Sequence, residues 1–488
     1  MQGGMTSIIN VNLNQGRSSS LRLRPSGTKR QQLEEPRKEY RWRVLKQFCV
    51  VAMGSVGHFC IGTILTWPSP GLADMALNNK TLVGTEFTLT DAQMDMAGSL
   101  VQLGSLFGAF FAGWLVNVVG RRRSLQINTV PYFLGWIITG LSSCSTVFLL
   151  GRFLSGLGVG LANVAVNTYI METADTKLRG TMSVVPVFCI VFGGQYTLGL
   201  GTFLPWHSLS LVCLAPVLLM VFASFVIPES PSFLVLRGQR VAAAQVLKRL
   251  RGNFVDVEEE MDDLERRNQS PRDRKSSGYK VLFRRKIMAR LGIVILTFLF
   301  QQLCGNFILI VQTGRVLEAA GTLFDPATAA SIVVSMRIAG TFAVFFLVDR
   351  IGRKYCLVVS HSVNACSLIV LGTFVYLNGN STVEQTFTSL KWIPMFCVAT
   401  CLFFGDIGLH PLPFTLAVEY FPTSVRSLAS SVCMSCGTIF AFVTLQLYSP
   451  MQEFLTQAGL YWFYAGSSVV ATVFTLALVT ETKDKPIG

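Results

Sequence analysis

Four side chains lie where their chemistry is out of place. Gln301, Gln302, Arg337 and Asp406 all fall inside long runs of apolar residues. A glutamine amide donates and accepts, so a neighbouring pair matches hydroxyl groups in both roles; the same amides also serve as bonds between buried helices. A charged side chain in an apolar medium costs several kcal/mol unless it is paired or hydrated. Arg337 and Asp406 therefore pair with each other, or Arg337 meets an anionic ligand; charge reversal at both positions separates the two readings. Around these four stand Asn306 and Phe414 in the same half of the chain, and Asn163 and Asn167 in the other, four residues apart and so on one face of a helix. At about 1.5 Å of rise per residue, Arg337 lies about 18 Å from Asp349, Asp406 about 20 Å from Glu419, and Gln301 about 22 Å from Lys286. All three reach a similar depth, near or somewhat past the middle of a hydrocarbon layer about 30 Å thick.

The elements that must carry them are membrane spans. Of 488 residues, 51% are hydrophobic and 14% charged, too little charge for a soluble enzyme of this length. A span needs about 20 mainly apolar residues, and such runs occupy 44–66, 94–116, 125–145, 147–171, 182–203, 208–227, 287–311, 327–348, 355–377, 392–418, 428–448 and 458–479. The reading is an all-α membrane protein with twelve transmembrane helices in two six-helix bundles, 44–227 and 286–479. Between them lies a polar linker, 228–285, with short amphipathic helices. Residues 1–43, rich in Gly, Ser, Arg and Lys, read as a disordered N-terminus and 480–488 as a tail. The tenth span is interrupted by Gly405, Gly408, Pro411 and Pro413. Each proline frees a carbonyl, and such backbone is tolerated in a membrane only where protein or water satisfies it, so this span reads as one lining a cavity.

Other classes fall away. The net charge of +14 is distributed between apolar runs, which favours a bilayer over nucleic acid as the partner. The 12 cysteines are mostly single; Cys433 and Cys436 are spaced as a metal pair but have no second pair, and read as small buried hydrophobes. No glycine-rich nucleotide motif with its lysine occurs, so neither an ATP-driven pump nor a cofactor is expected.

Basic residues orient the spans. With both termini cytoplasmic, nearly all Lys and Arg lie inside, and Lys80, Arg315 and Lys391 lie outside. The glycosylation sequons at Asn79 and Asn380 then face outward, while Asn268 faces inward. The halves also repeat. Gly120-Arg121-Arg122-Arg123 follows the second span, and Asp349-Arg350-Ile351-Gly352-Arg353-Lys354 follows the eighth. Glu172 and Arg179 follow the fourth, Glu419 and Arg426 the tenth. Matched motifs on two six-helix halves mark a transporter built from repeats.

These motifs, with Gly151-Arg152, Pro228-Glu229-Ser230-Pro231, Gln301-Gln302-Leu303-Cys304-Gly305, Pro411-Leu412-Pro413 and Glu481-Thr482-Lys483, resemble the sugar porter family of the major facilitator superfamily over roughly 44–483. Ser69-Pro70 and Val185-Pro186 look most like its insect trehalose-transporter group. The resemblance implies the major facilitator fold and alternating access, with a sugar as substrate and a monomer as the working unit; the outward-facing sequons make the plasma membrane the default location. It implies a cytoplasmic latch that ties the bundles together when the far side opens: Arg121, Arg122, Arg152, Glu172 and Arg179 with Asp349, Arg353, Glu419 and Arg426. It implies sugar contacts at Gln301, Gln302, Asn306, Arg337, Asp406, Phe414 and Asn163. Several family positions differ: Val187, Phe307, Phe414 and Gly437-Thr438 replace its usual polar or tryptophan residues, and Val118 replaces a loop arginine. Ile64 stands where proton-driven members carry an aspartate, which implies facilitated diffusion; His58 is titratable and lies in the same span, and a lone histidine in a span is as a rule a packed polar group. Two further readings stay open: a carrier of another polar or anionic solute, and a non-transporting sensor, the latter disfavoured by the short tail.

Overall fold

The computed structural model describes residues 37–77, 80–82, 84, 86–175, 178–252, 257–269, 284–322, 324–378, 390–421 and 425–482. Asn79 and Asn380 lie outside them, and so does the side chain of Asp349.

Among the described residues, ten helices are long and apolar enough to cross a membrane. The two remaining spans are Arg121–Gly140, which opens on three arginines, and Val185–Gly201, of 17 residues. Together they make the twelve-span major facilitator fold. The first span runs over 41 residues, Arg37–Leu77, so helix is already in place within the stretch expected to be disordered. Arg43 pairs there with Asp175 at 3.5 Å, and Gln47 donates to the Leu250 carbonyl. Helix starts follow local chemistry. Thr90 and Gln93 form a reciprocal capping box on the second span, and Asp325 caps the eighth ahead of Pro326.

The first half packs through small residues. Gly104 and Gly108 on the second span face Gly156 and Gly160 on the fourth. A methyl group at Gly104 would stand 2.3 Å from the Phe153 carbonyl oxygen, and one at Gly156 2.4 Å from that of Val101. Without a hydrophobic drive between helices in lipid, such close backbone approach is what holds the pair. Trp67, Trp136, Phe148 and Trp206 fill the core of that half. The second half has its own cores, around Tyr448, Tyr461 and Tyr464 and around Phe298, Leu416 and Phe421. The linker forms helices at Pro231–Leu236, Arg240–Arg251 and Val257–Gln269. They pack on the first half: the Arg251 guanidinium donates to the Thr173 carbonyl at 2.8 Å and pairs with Glu260. The side of the molecule bearing these helices is called the linker face below, and its opposite the far face.

Candidate functional site

Two broken helices meet at mid-depth. The seventh span, Arg285–Leu303, stops at Cys304 and Gly305 and restarts as Asn306–Val311. Gly305 holds a φ of 74°, and a side chain there would strike the Tyr464 ring at 2.5 Å. The tenth span breaks between Ile407 and Leu412. In that break the His410 N–H donates to the Gly405 carbonyl, while the His410 carbonyl accepts from Gln301 Nε2 at 3.2 Å. Gln301 and Gln302 are both buried in the last turn before the seventh-span break, and the Oε1 of each has no partner among the described residues. Two acceptors buried without partners are an unfilled hydrogen-bonding demand.

Arg337 and Asp406 pair. Arg337 Nε and Nη2 donate to Asp406 Oδ2 and Oδ1 at 2.9 and 3.1 Å, with the side chains 10% and 5% exposed. Gly340, one turn along the eighth span, lets the tenth approach closely, since a methyl there would meet the Phe403 carbonyl at 2.6 Å. The bidentate geometry satisfies both charges in a medium where either alone would be costly.

Behind the pair runs a polar chain that sequence reasoning missed. His410 Nε2 lies 3.9 Å from Asp406 Oδ1 and 2.6 Å from Asn306 Oδ1. Asn306 Nδ2 donates to the Cys401 carbonyl at 2.8 Å and lies 3.4 Å from Asn364 Oδ1. Asn364 Nδ2 reaches the Cys304 carbonyl and Ser468 Oγ. The chain so links the eighth, tenth, seventh, ninth and twelfth spans. Asn306 is fully buried, and its amide is taken up by Cys401, Asn364 and His410. The signal for His410 was its place among Gly405, Gly408, Pro411 and Pro413; for Asn364 and Ser468 there was none beyond polarity within an apolar run.

Phe414 is 47% exposed and meets Phe298 edge to face at 5.0 Å. Asn163 is half-buried in the fourth span, where its carbonyl accepts from Asn167; among the described residues no hydrogen bond joins it to the Gln301 cluster.

At the linker face the repeated motifs form one arrangement twice. Arg121 Nη2 pairs with Glu172 Oε1 at 2.6 Å, Ser230 Oγ donates to the other oxygen of Glu172, and Glu229 Oε1 accepts the Arg121 and Arg122 N–H groups. In the second half Arg353 pairs with Glu419 at 3.4 Å, Thr482 donates to Glu419, and Glu481 accepts the Arg353 and Lys354 N–H groups. Gly120 and Gly352 both hold φ of 100°, each with a glutamate oxygen 2.6 Å from where a methyl would be. Glu229 and Glu481 thus cap the third and ninth spans, a correspondence the motif spacing alone did not reveal. Of the expected latch residues, Arg122 donates to the Ser224 and Phe225 carbonyls, and Arg426 to that of Phe421; Arg179 is half-buried and its Nε has no partner among the described residues. Arg152 requires a correction. It lies toward the far end of the fourth span, wholly buried, donating to the Ala97 and Ile64 carbonyls and lying 5.1 Å over the Trp67 ring. It bonds three helices of one half together and is no part of a linker-face latch.

The far face joins the two halves. Asp95, its side chain 0% exposed, accepts from Arg315 Nη1 at 3.0 Å, from the Ser449 N–H at 2.7 Å and from Gln312 Nε2. Arg315 also reaches Asp91 and lies over the Tyr448 ring. Ser99 donates to Gln446, Gln195 to Ser331, and the Gly314 N–H to Ser69.

Comparison with known proteins sets this geometry in context. The chain is similar to the facilitated trehalose transporter Tret1 of Drosophila virilis, 28% identical over 435 residues, 89% of this chain and 47% of that one. It is similar also to Tret1 of Anopheles gambiae, 27% identical over 89% of this chain and 54% of that one. The chain so spans about half the length of these curated relatives. Among solved structures it is similar to the xylose transporter XylE of E. coli in an inward open conformation, with a TM-score of 0.75, 19% identity, and 90% of this chain and 98% of that one covered. A partially occluded inward open form of XylE gives 0.73 at 20% identity, over 90% and 99% of the two chains. The family profile described as sugar (and other) transporter matches residues 35–487, and with it the twelve spans, the doubled linker-face motif and the broken seventh and tenth helices take their place: this chain belongs to the sugar (and other) transporter family.

Proposed function

We propose that this chain carries a hexose or a trehalose-like disaccharide down its gradient across the plasma membrane by alternating access. The observation that carries the reading is the pair of buried, unpartnered carbonyl oxygens on Gln301 and Gln302, set where the seventh and tenth spans are both broken. Sugar hydroxyls supply the missing donors, and the exposed Phe414 ring supplies an apolar face for the sugar's C–H edges. The names of the relatives support a sugar as well. The Arg337–Asp406 pair supports a neutral substrate over an anion, because Arg337 already has a carboxylate partner. Asn163 is proposed to add a contact from the first half. Two bundles, 44–227 and 286–479, would rock about this point with the linker face in the cytoplasm, as a monomer, and with Asn79 and Asn380 outside. Closure at the far face through Asp95 and Arg315, with Arg121–Glu172 and Arg353–Glu419 each held within one half, fits a carrier resting open toward the cytoplasm.

Uptake in a transport-null cell, with a panel of radiolabelled sugars and organic anions, tests the reading. Glucose or trehalose uptake that Gln301→Ala abolishes supports it. Uptake of anions alone, lost in Arg337→Ala, overturns it.

A further inference from the structure

We propose that the linker face holds a binding site for the phosphate headgroup of an acidic membrane lipid, independent of the solute carried. A cavity of about 640 Å3 opens between the end of the second span, the start of the third, the end of the sixth and the first linker helix; its walls include Arg122, Arg123, Arg237, Glu229, Phe225 and Phe233. Three guanidinium groups thus face one carboxylate. One oxygen of that carboxylate is committed: Glu229 Oε1 already accepts the N–H groups of Arg121, Arg122 and Ser230. Two of the arginines, Arg122 and Arg237, by contrast, are held at one edge and have donors to give. Arg122 is anchored through Nε and Nη2 to the Ser224 and Phe225 carbonyls, leaving Nη1 outside those bonds. Arg237 is anchored through one Nη to the Val118 carbonyl and lies 5.3 Å over the Phe233 ring. Arg123 is exposed. Fixed guanidinium groups arranged about a cavity suit a phosphate, whose oxygens accept from several at once.

The surroundings choose a lipid over a soluble phosphate. The cavity sits at the membrane boundary, because Val118 and Val119 end one span and Phe225 closes another. Apart from Gln126 and Gln239 its remaining walls are apolar, and Phe222 and Phe225 are exposed on the adjoining flank of the sixth span, a lane along which acyl chains can lie while the headgroup occupies the arginines. Basic pockets between spans at this depth bind acidic headgroups.

The test uses the full chain, purified in neutral detergent, with short-chain phosphatidylglycerol, short-chain phosphatidylcholine and glycerol 3-phosphate as probes. Phosphatidylglycerol is expected to bind in preference to phosphatidylcholine. Each of Arg123→Gln and Arg237→Gln should lower that preference about fivefold, and the double variant about thirtyfold, from the usual contribution of a basic residue near an acidic lipid. Arg285→Gln with Lys286→Gln, which removes charge from the other half of the same face, should leave it unchanged. An unchanged preference in the double variant, an equal fall in the Arg285 and Lys286 control, or displacement of the lipid by equimolar glycerol 3-phosphate would each overturn the proposal. If the double variant fails to fold, the two single variants carry the same test.

Discussion

Removing one member of the Arg337–Asp406 pair should cost far more than removing both. The two N–H···O bonds are 2.9 and 3.1 Å long, and the side chains are 10% and 5% exposed, so neither charge has water to fall back on. Breaking a buried pair by deleting one partner costs about 3–5 kcal/mol, most of it the stranded charge. Arg337→Met strands Asp406, with His410 Nε2 at 3.9 Å as a weak substitute partner; Asp406→Asn strands Arg337. The double variant Arg337→Met, Asp406→Asn strands nothing and should lose much less than the two single losses together, with a coupling of at least about 2 kcal/mol. The assay is equilibrium unfolding of the purified protein in mixed detergent micelles, followed by helicity, for all four proteins of the cycle. A double variant whose loss equals the two single losses added together refutes the argument: the charges would then be hydrated separately and the pair energetically idle. Uptake by the same four proteins shows whether the pair serves only to hold the eighth and tenth spans together.

Other outcomes follow from the same geometry. Asp95→Asn keeps the shape of the far-face junction but removes the charge that accepts from Arg315, Ser449 and Gln312; charge-assisted bonds are about twice as strong as neutral ones, so a cysteine placed at the buried Val311 should react at least about fivefold faster with an impermeant reagent applied to the far face. Gly156→Ala puts a methyl 2.4 Å from the Val101 carbonyl, whereas Gly113→Ala meets nothing within 4 Å; the first should lower stability by about 1–3 kcal/mol and the second leave thermal melting unmoved. Glu229→Gln and Glu481→Gln remove equivalent caps from two helix starts, so the two should lower stability by similar amounts, about 1 kcal/mol each, again read by thermal melting.

Much of this was legible because a bilayer constrains sequence so strongly. Apolar runs of span length gave all twelve helices, and counting helix rise brought Gln301, Arg337 and Asp406 to a common depth from three different spans. What was not legible depended on direction. Spacing reports how deep Asn306 lies but not that its amide turns toward Cys401 and His410. Arg152, in its own Gly151-Arg152 motif, was grouped with the linker-face charges, yet its chain position is at the other end of the fourth span, and burial against Trp67 makes it a packing residue. The Asp95–Arg315 contact joins residues 220 apart, and no local pattern announces a bond near the starts of two helices in separate bundles. Glu229 and Glu481 were read within different motifs, and only the fold shows that each performs the same task.

That shared task has a consequence for how the molecule moves. Each half ends by returning a glutamate and a hydroxyl, Glu229 with Ser230 and Glu481 with Thr482, to the start of its own third helix and to its own Arg–Glu pair. At the linker face each six-helix unit is therefore buttoned shut upon itself. Flexing inside a unit would have to undo its own fastening, so the low-energy displacement is one unit pivoting whole against the other. A polypeptide severed between Gln269 and Arg284 would still leave both buttons done up, with the linker helices riding on the first unit.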